Sequence, residues 1–192
     1  MKWNLPNVLV ILRIILIPVF LFFVLRIVPG EFVMRWLALI VFVVAAISDF
    51  LDGYFARKWS QVSSFGKLMD PLADKMLVSA ALIALVYMQY LTVWIVVVII
   101  CREFWVTALR LLALEQGQEV IAASIWGKIK TVLQMTMIIT LLTGFGTADF
   151  LLPINFGQAG SVIVTILIYL SLIATVFSAY EYTKSYKDVF LA

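Results

Sequence analysis

Four aspartates stand at fixed spacings in the stretch SDFLDGYFARKWSQVSSFGKLMDPLADK, Ser48 to Lys75. Asp49 and Asp52 are three residues apart, and Asp70 and Asp74 four apart, so on a helix each pair shares a face. Long apolar segments flank the stretch on both sides. Carboxylates gathered in a medium of reduced dielectric repel one another strongly, and a cation must neutralise them. Oxygen ligands of this type suit Mg²⁺ or Mn²⁺, and two such ions roughly 4 Å apart can clamp a phosphoryl group during displacement. The plainer alternative is a set of helix-end acids paired with Arg57, Lys67 and Lys75. Four acids at paired helical spacing weigh toward function, because acids at lipid depth are costly and serve mostly functional ends.

The elements that must position these acids are apolar. Of 192 residues, 65% are hydrophobic and the mean hydropathy is +1.11, whereas a soluble domain is about half apolar. Apolar runs of about 20 residues recur, the length that crosses a bilayer core. The expectation is an all-α integral membrane protein, a single domain over 1–192. Its six spans would run from about Asn7 to Ile27, Met34 to Arg57, Pro71 to Tyr90, Leu91 to Leu114, Ser124 to Thr143 and Ser161 to Tyr182. A kink is expected at Pro18. The Lys58–Lys67 segment reads as a polar loop, and Asp70 before Pro71 reads as an N-cap with proline at the first helical position. The first apolar run is too long for a signal peptide, is interrupted by Arg13, and lacks a small-residue cleavage site.

Six spans put both termini on one side, together with Lys2, the Lys58–Lys67 loop, Lys128, Lys130, Lys184 and Lys187. The positive-inside rule places that side, and the acids, in the cytoplasm. This implies a multi-pass protein of the inner or plasma membrane, surrounded by membrane lipids, with its active site facing the cytoplasm. Trp3, Trp36, Trp59 and Tyr182, at span ends, fit interfacial aromatic belts. The net charge of +3 follows from that basic face and calls for no nucleic acid. The single cysteine, Cys101, lies in an apolar run, which excludes disulfides and a cysteine metal site. Histidine is absent, so any metal must be held by oxygen.

Small residues accompany the acids. Gly53, Ala56 and Gly66 leave room for a close ligand or backbone, and equally for helix packing. Taken together, Asp49-x2-Asp52-Gly53-x2-Ala56-Arg57-x8-Gly66-x3-Asp70-x3-Asp74 resembles the signature of the CDP-alcohol phosphatidyltransferase family, complete at all eight fixed positions. That resemblance implies a six-helix membrane enzyme, acting as a homodimer, that moves a phosphatidyl group from a CDP-linked lipid such as CDP-diacylglycerol to an alcohol and releases CMP. It implies that Asp49, Asp52, Asp70 and Asp74 hold a divalent metal, Mg²⁺ or Mn²⁺ and as two ions, with Asp74 also the catalytic base. It further implies that Asp52, Gly53, Ala56, Arg57 and Gly66 hold the CDP-lipid. The chemistry agrees: phosphoryl displacement needs charge neutralisation and alignment more than covalent help, and a carboxylate can take the acceptor proton without histidine.

The acceptor is suggested by four more cations. Arg102, Arg110, Lys128 and Lys130 lie in otherwise apolar segments, where isolated charge is expensive. Arginine binds phosphate in bidentate fashion and lysine as a point charge, so an acceptor carrying its own phosphate is expected. Snorkelling to the interface, or a Glu103–Arg110 pair, is the alternative. Lys128 and Lys130 lie on different faces of a helix, so both do not reach one ligand. Asn7, Arg13 and Lys67 are further candidates for the pocket.

The segments REFWVTALR and GKIKTVLQ resemble the branch of the family that makes phosphatidylglycerophosphate, whose acceptor is sn-glycerol 3-phosphate. LPNVLVILR resembles its start, with Val10 where threonine is commoner. The likeness runs from Leu5 to about Gln134, and the last span adds little beyond hydrophobicity. Rival readings are a family enzyme with another acceptor (inositol phosphate, inositol or serine) and a divalent-cation transporter. Transport sites lie at the midplane, often with repeat symmetry, whereas these acids lie at one face.

Overall fold

A long apolar segment in lipid can satisfy all its own backbone polar groups only as a helix, and helices are what this chain forms. The computed structural model describes the backbone of residues 5–27, 32–59, 64–116, 124–145 and 157–186. Side chains are described there except at 5–7, 9, 49–59, 64–71, 74, 114 and 157. Among the described residues six helices follow one another: α1 (Leu5–Val24), α2 (Phe32–Trp59), α3 (Ser64–Tyr87), α4 (Val93–Glu115), α5 (Ile125–Leu142) and α6 (Gly157–Ser185). Each expected segment is present, most with ends moved by a few residues. α1 continues through Pro18.

The largest difference is at α3. It starts at Ser64, almost two turns before the expected cap at Asp70. Only 60–63 separate it from α2. The first-position rule for proline is a default, and Leu68 and Met69 before it are strong helix formers. The shift has a consequence for the site. Gly66, Lys67, Asp70 and Asp74 all belong to one helix, and Gly66, Asp70 and Asp74 recur every four residues along one face.

Local chemistry sets several helix ends. α5 opens at Ser124, whose hydroxyl accepts from Gly127 N–H at 3.1 Å, an N-cap. It closes with Gly144 at φ 72°, and the Gly144 and Phe145 N–H groups donate to the Leu141 and Thr140 carbonyls, a Schellman motif. α3 ends in the same pattern through Gln89 and Tyr90 bonded to Val86 and Leu85. There the left-handed position is held by Gln89 at φ 61°, a conformation that glycine adopts more readily.

α1 lies along α2 and α3, α5 along α6, and α4 against α6. The main core joins Phe20, Phe42, Leu82, Leu85, Ile99, Met137 and Leu142, all fully buried. A second cluster, Val106, Leu109, Ala113, Tyr182 and Tyr186, fastens α4 to α6. Outward, every helix shows large apolar side chains, among them Ile15, Val33, Ile83, Trp94, Val132 and Ile166. A water-facing monomer rarely carries so much contiguous apolar surface; lipid accepts it without cost. Among the described residues, two helices, Ile125–Leu142 and Gln158–Ser185, are long and apolar enough to cross a membrane by length and composition.

Candidate functional site

The four aspartates fall on two consecutive helices, Asp49 and Asp52 on α2, Asp70 and Asp74 on α3. Their side chains lie outside the described set, as do those of Gly53, Ala56, Arg57, Gly66, Lys67 and Asn7. The short 60–63 connection brings the acid-bearing ends of the two helices into succession.

Beside α3 lies a polar cavity of about 210 Å³. Its wall comes from α3 (Lys75), α4 (Arg102, Glu103, Val106, Thr107, Arg110), α5 (Gly127, Thr131) and α6 (Tyr182). Lys75 follows Asp74 directly in the chain, so the cavity begins one residue from the last aspartate. Residues 103, 107 and 110 share a face of α4 by helical spacing, which is why that face is the polar one. A space of about 210 Å³ takes several waters or a small polar ligand.

The charges are ordered by one carboxylate. Glu103 Oε1 accepts from Lys130 Nζ and, at 3.3 Å, from Arg102 Nη1. Side-chain exposures of 5% for Lys130, 9% for Arg102 and 15% for Glu103 make this a largely buried network. Arg102 Nη2 also donates to Ser178 Oγ on α6. Arg110 Nη2 donates to Tyr182 Oη at 2.7 Å, so Arg110 turns to Tyr182 and Glu103 to Lys130 and Arg102. Both guanidiniums lie over the Tyr182 ring, at 5.7 Å for Arg102 and 5.1 Å for Arg110. Among the described residues, the Nε atoms of Arg102 and Arg110 are buried with no hydrogen-bond partner, and buried donors of that kind are costly.

The expected cations therefore separate. Arg102 and Arg110 wall the cavity. Lys130 is buried against Glu103 and lines a smaller void of about 40 Å³ that shares Lys75, Glu103 and Thr131 with the cavity. Lys128 is exposed and lines neither. Arg13 is fully buried in α1 and lines neither. A larger cavity of about 620 Å³ between α2, α5 and α6 is walled by Trp36, Ile139, Ile163, Leu167 and other apolar groups. Among the described residues it has no ionisable lining residue, whereas the polar cavity is walled by charged groups.

The model of the CDP-alcohol phosphatidyltransferase family matches residues 3–180. The chain belongs to this family. Three relatives share the name CDP-diacylglycerol–glycerol-3-phosphate 3-phosphatidyltransferase. The Bacillus subtilis protein is 46% identical over 149 residues, covering 73% of this chain and 77% of its own length. The Haemophilus influenzae protein is 38% identical over 196 residues, 100% of this chain and 97% of its own. The Escherichia coli protein is 40% identical over 147 residues, 74% and 78% respectively. As a CDP-alcohol phosphatidyltransferase with a lipid-matched surface, the chain is a membrane enzyme.

Sequence reasoning passed over α6. Ser171, Thr175, Ser178, Tyr182 and Tyr186 recur at three or four residues along it, and all are buried. Polar groups at helical spacing inside an apolar span were the available signal. Tyr182, expected in an interfacial belt, is 3% exposed and lies between the two arginines because α6 packs on α4.

Proposed function

We propose that the protein transfers the phosphatidyl group of CDP-diacylglycerol to sn-glycerol 3-phosphate, giving phosphatidylglycerophosphate and CMP in phospholipid synthesis. The observation that supports this is the polar cavity walled by two arginines, Arg102 and Arg110, and reached by α3, the helix that carries Asp70 and Asp74. A phosphate-bearing acceptor suits two arginines, whereas free inositol brings no charge and serine a single carboxylate. The name shared by the relatives supports the same acceptor.

In this reading Arg102 and Arg110 hold the acceptor phosphate, and Glu103 and Lys130 keep Arg102 in place. Asp74 takes the proton of the attacking hydroxyl. The acceptor oxygen bonds to the phosphatidyl phosphorus as the bond from that phosphorus to the CMP oxygen breaks. Asp52, Gly53, Ala56, Arg57 and Gly66 hold the CDP-lipid. The donor set of Asp49, Asp52, Asp70 and Asp74 fits Mg²⁺ or Mn²⁺, being carboxylate only in a chain without histidine. When bound, such ions neutralise the diphosphate and stabilise departing CMP. The protein would cross the membrane six times, termini and acids in the cytoplasm, as a homodimer.

Labelled glycerol 3-phosphate is expected to enter lipid only with CDP-diacylglycerol present, and serine, inositol and inositol phosphate to fail in its place. Chelation is expected to stop incorporation, and Mg²⁺ or Mn²⁺ to restore it; incorporation indifferent to chelator would remove the metal. Arg110→Ala is expected to raise the KM for glycerol 3-phosphate by roughly 10–100-fold, the value of one or two charge-assisted bonds, and that for CDP-diacylglycerol far less. The reverse pattern would mean that the two pockets are exchanged.

A further inference from the structure

Among the described residues, the Tyr182 hydroxyl accepts twice and gives to nothing. Arg110 Nη2 donates to it at 2.7 Å and the Ser124 backbone N–H at 3.2 Å. A phenol oxygen takes up to two hydrogen bonds and has one hydrogen of its own to donate. Neither neighbour can receive that hydrogen, because a guanidinium and an amide N–H carry donors only. Tyr182 is 3% exposed, so bulk water does not serve it, yet it lines the polar cavity. The unspent hydrogen has the cavity as its outlet.

We infer that Tyr182 donates a hydrogen bond to the phosphate of the acceptor and is a specificity-determining residue for phosphomonoesters. The inference rests on the reading of the cavity as the acceptor site and adds a neutral donor to its two cations. Arginines alone attract any anion; a fixed O–H adds direction. Three elements fix it: Arg110 on α4, the Ser124 N–H at the start of α5, and α6 itself. Gly127 lies beside the ring, where an added Cβ would come to 3.4 Å from both Tyr182 Cε2 and Oη, so α5 passes close to the hydroxyl. The polarity also matches. Two N–H donors on the oxygen, one of them cationic, make the phenol a better donor.

The test uses the full chain in detergent micelles with CDP-diacylglycerol and Mg²⁺. Tyr182→Phe is expected to raise the KM for glycerol 3-phosphate about ten-fold or more, as loss of one bond to a charged group does. The KM for CDP-diacylglycerol is expected to stay unchanged and kcat to change by less than about two-fold. Inorganic phosphate is expected to inhibit in competition with glycerol 3-phosphate, its Ki rising in parallel. Tyr182→His keeps a ring N–H and is expected to lie between the wild type and Phe. A purely structural Tyr182 would instead shift both KM values together, or neither, and either pattern overturns the inference. If the Phe variant does not accumulate, Tyr182→His decides: a change confined to glycerol 3-phosphate and phosphate upholds the role, and equal shifts overturn it. Wild-type protein that releases no CMP on addition of glycerol 3-phosphate would overturn the acceptor reading itself, a result separate from an active wild type with an unaltered Phe variant.

Discussion

Asp74→Asn is expected to lower turnover by roughly 10²–10⁴-fold, the range lost when a positioned general base is removed, while CDP-lipid binding survives in part. The amide keeps an oxygen and nearly the same shape but cannot take a proton from the attacking hydroxyl. Asp74 also belongs to the proposed metal set, so the assay must separate two kinds of loss. Weakened metal affinity is recovered by titrating Mg²⁺ or Mn²⁺ to saturation; loss of the base is not. Turnover of labelled glycerol 3-phosphate into lipid at saturating metal is therefore the deciding quantity. Near-normal turnover there would end the role of Asp74 as base. Asp74 is singled out among the four by the resemblance to the family signature, in which the last aspartate is the base.

Glu103→Gln is expected to be among the most destabilising single changes. Its carboxylate receives both Lys130 and Arg102 in a largely buried network. Removing one partner of a buried ion pair costs about 3–5 kcal/mol, because a buried charge is left without its counter-ion. For a chain of this size that corresponds to a fall of about 6–20 °C in thermal midpoint. Because Arg102 would lose its anchor, the KM for glycerol 3-phosphate should rise as well. The double variant Glu103→Gln with Lys130→Met should regain part of the stability, since Lys130 no longer leaves an unpaired charge while Arg102 still does. It should not regain the acceptor KM, because Arg102 would still lack its carboxylate. A single variant as stable as the wild type would show that this network is solvated.

The division between what could be read along the chain and what required the fold follows from the range of the interactions. Six helices were legible because apolar length and helical spacing are local properties, and a segment in lipid has few other options. The paired aspartates were legible for the same reason: three and four residues along a helix fix a shared face. The start of α3 was not, since the sequence around Pro71 carries a capping pattern that the helix overrides. The cavity was only half legible. Arg102 and Arg110 announced themselves as charges in an apolar run, and REFWVTALR drew attention to them. Their partners did not, because Ser178 is 76 positions from Arg102 and Tyr182 is 72 from Arg110. By spacing the partner weighed for Glu103 was Arg110, seven residues on; the approach of α5 gave it Lys130, 27 positions on, instead. Composition and periodicity thus determined the helices and the acid pairs, where the neighbours that matter lie within a turn or two. The pairing of each buried charge was decided by which helices touch, since a desolvated donor must bond whatever acceptor the packing brings within about 3 Å.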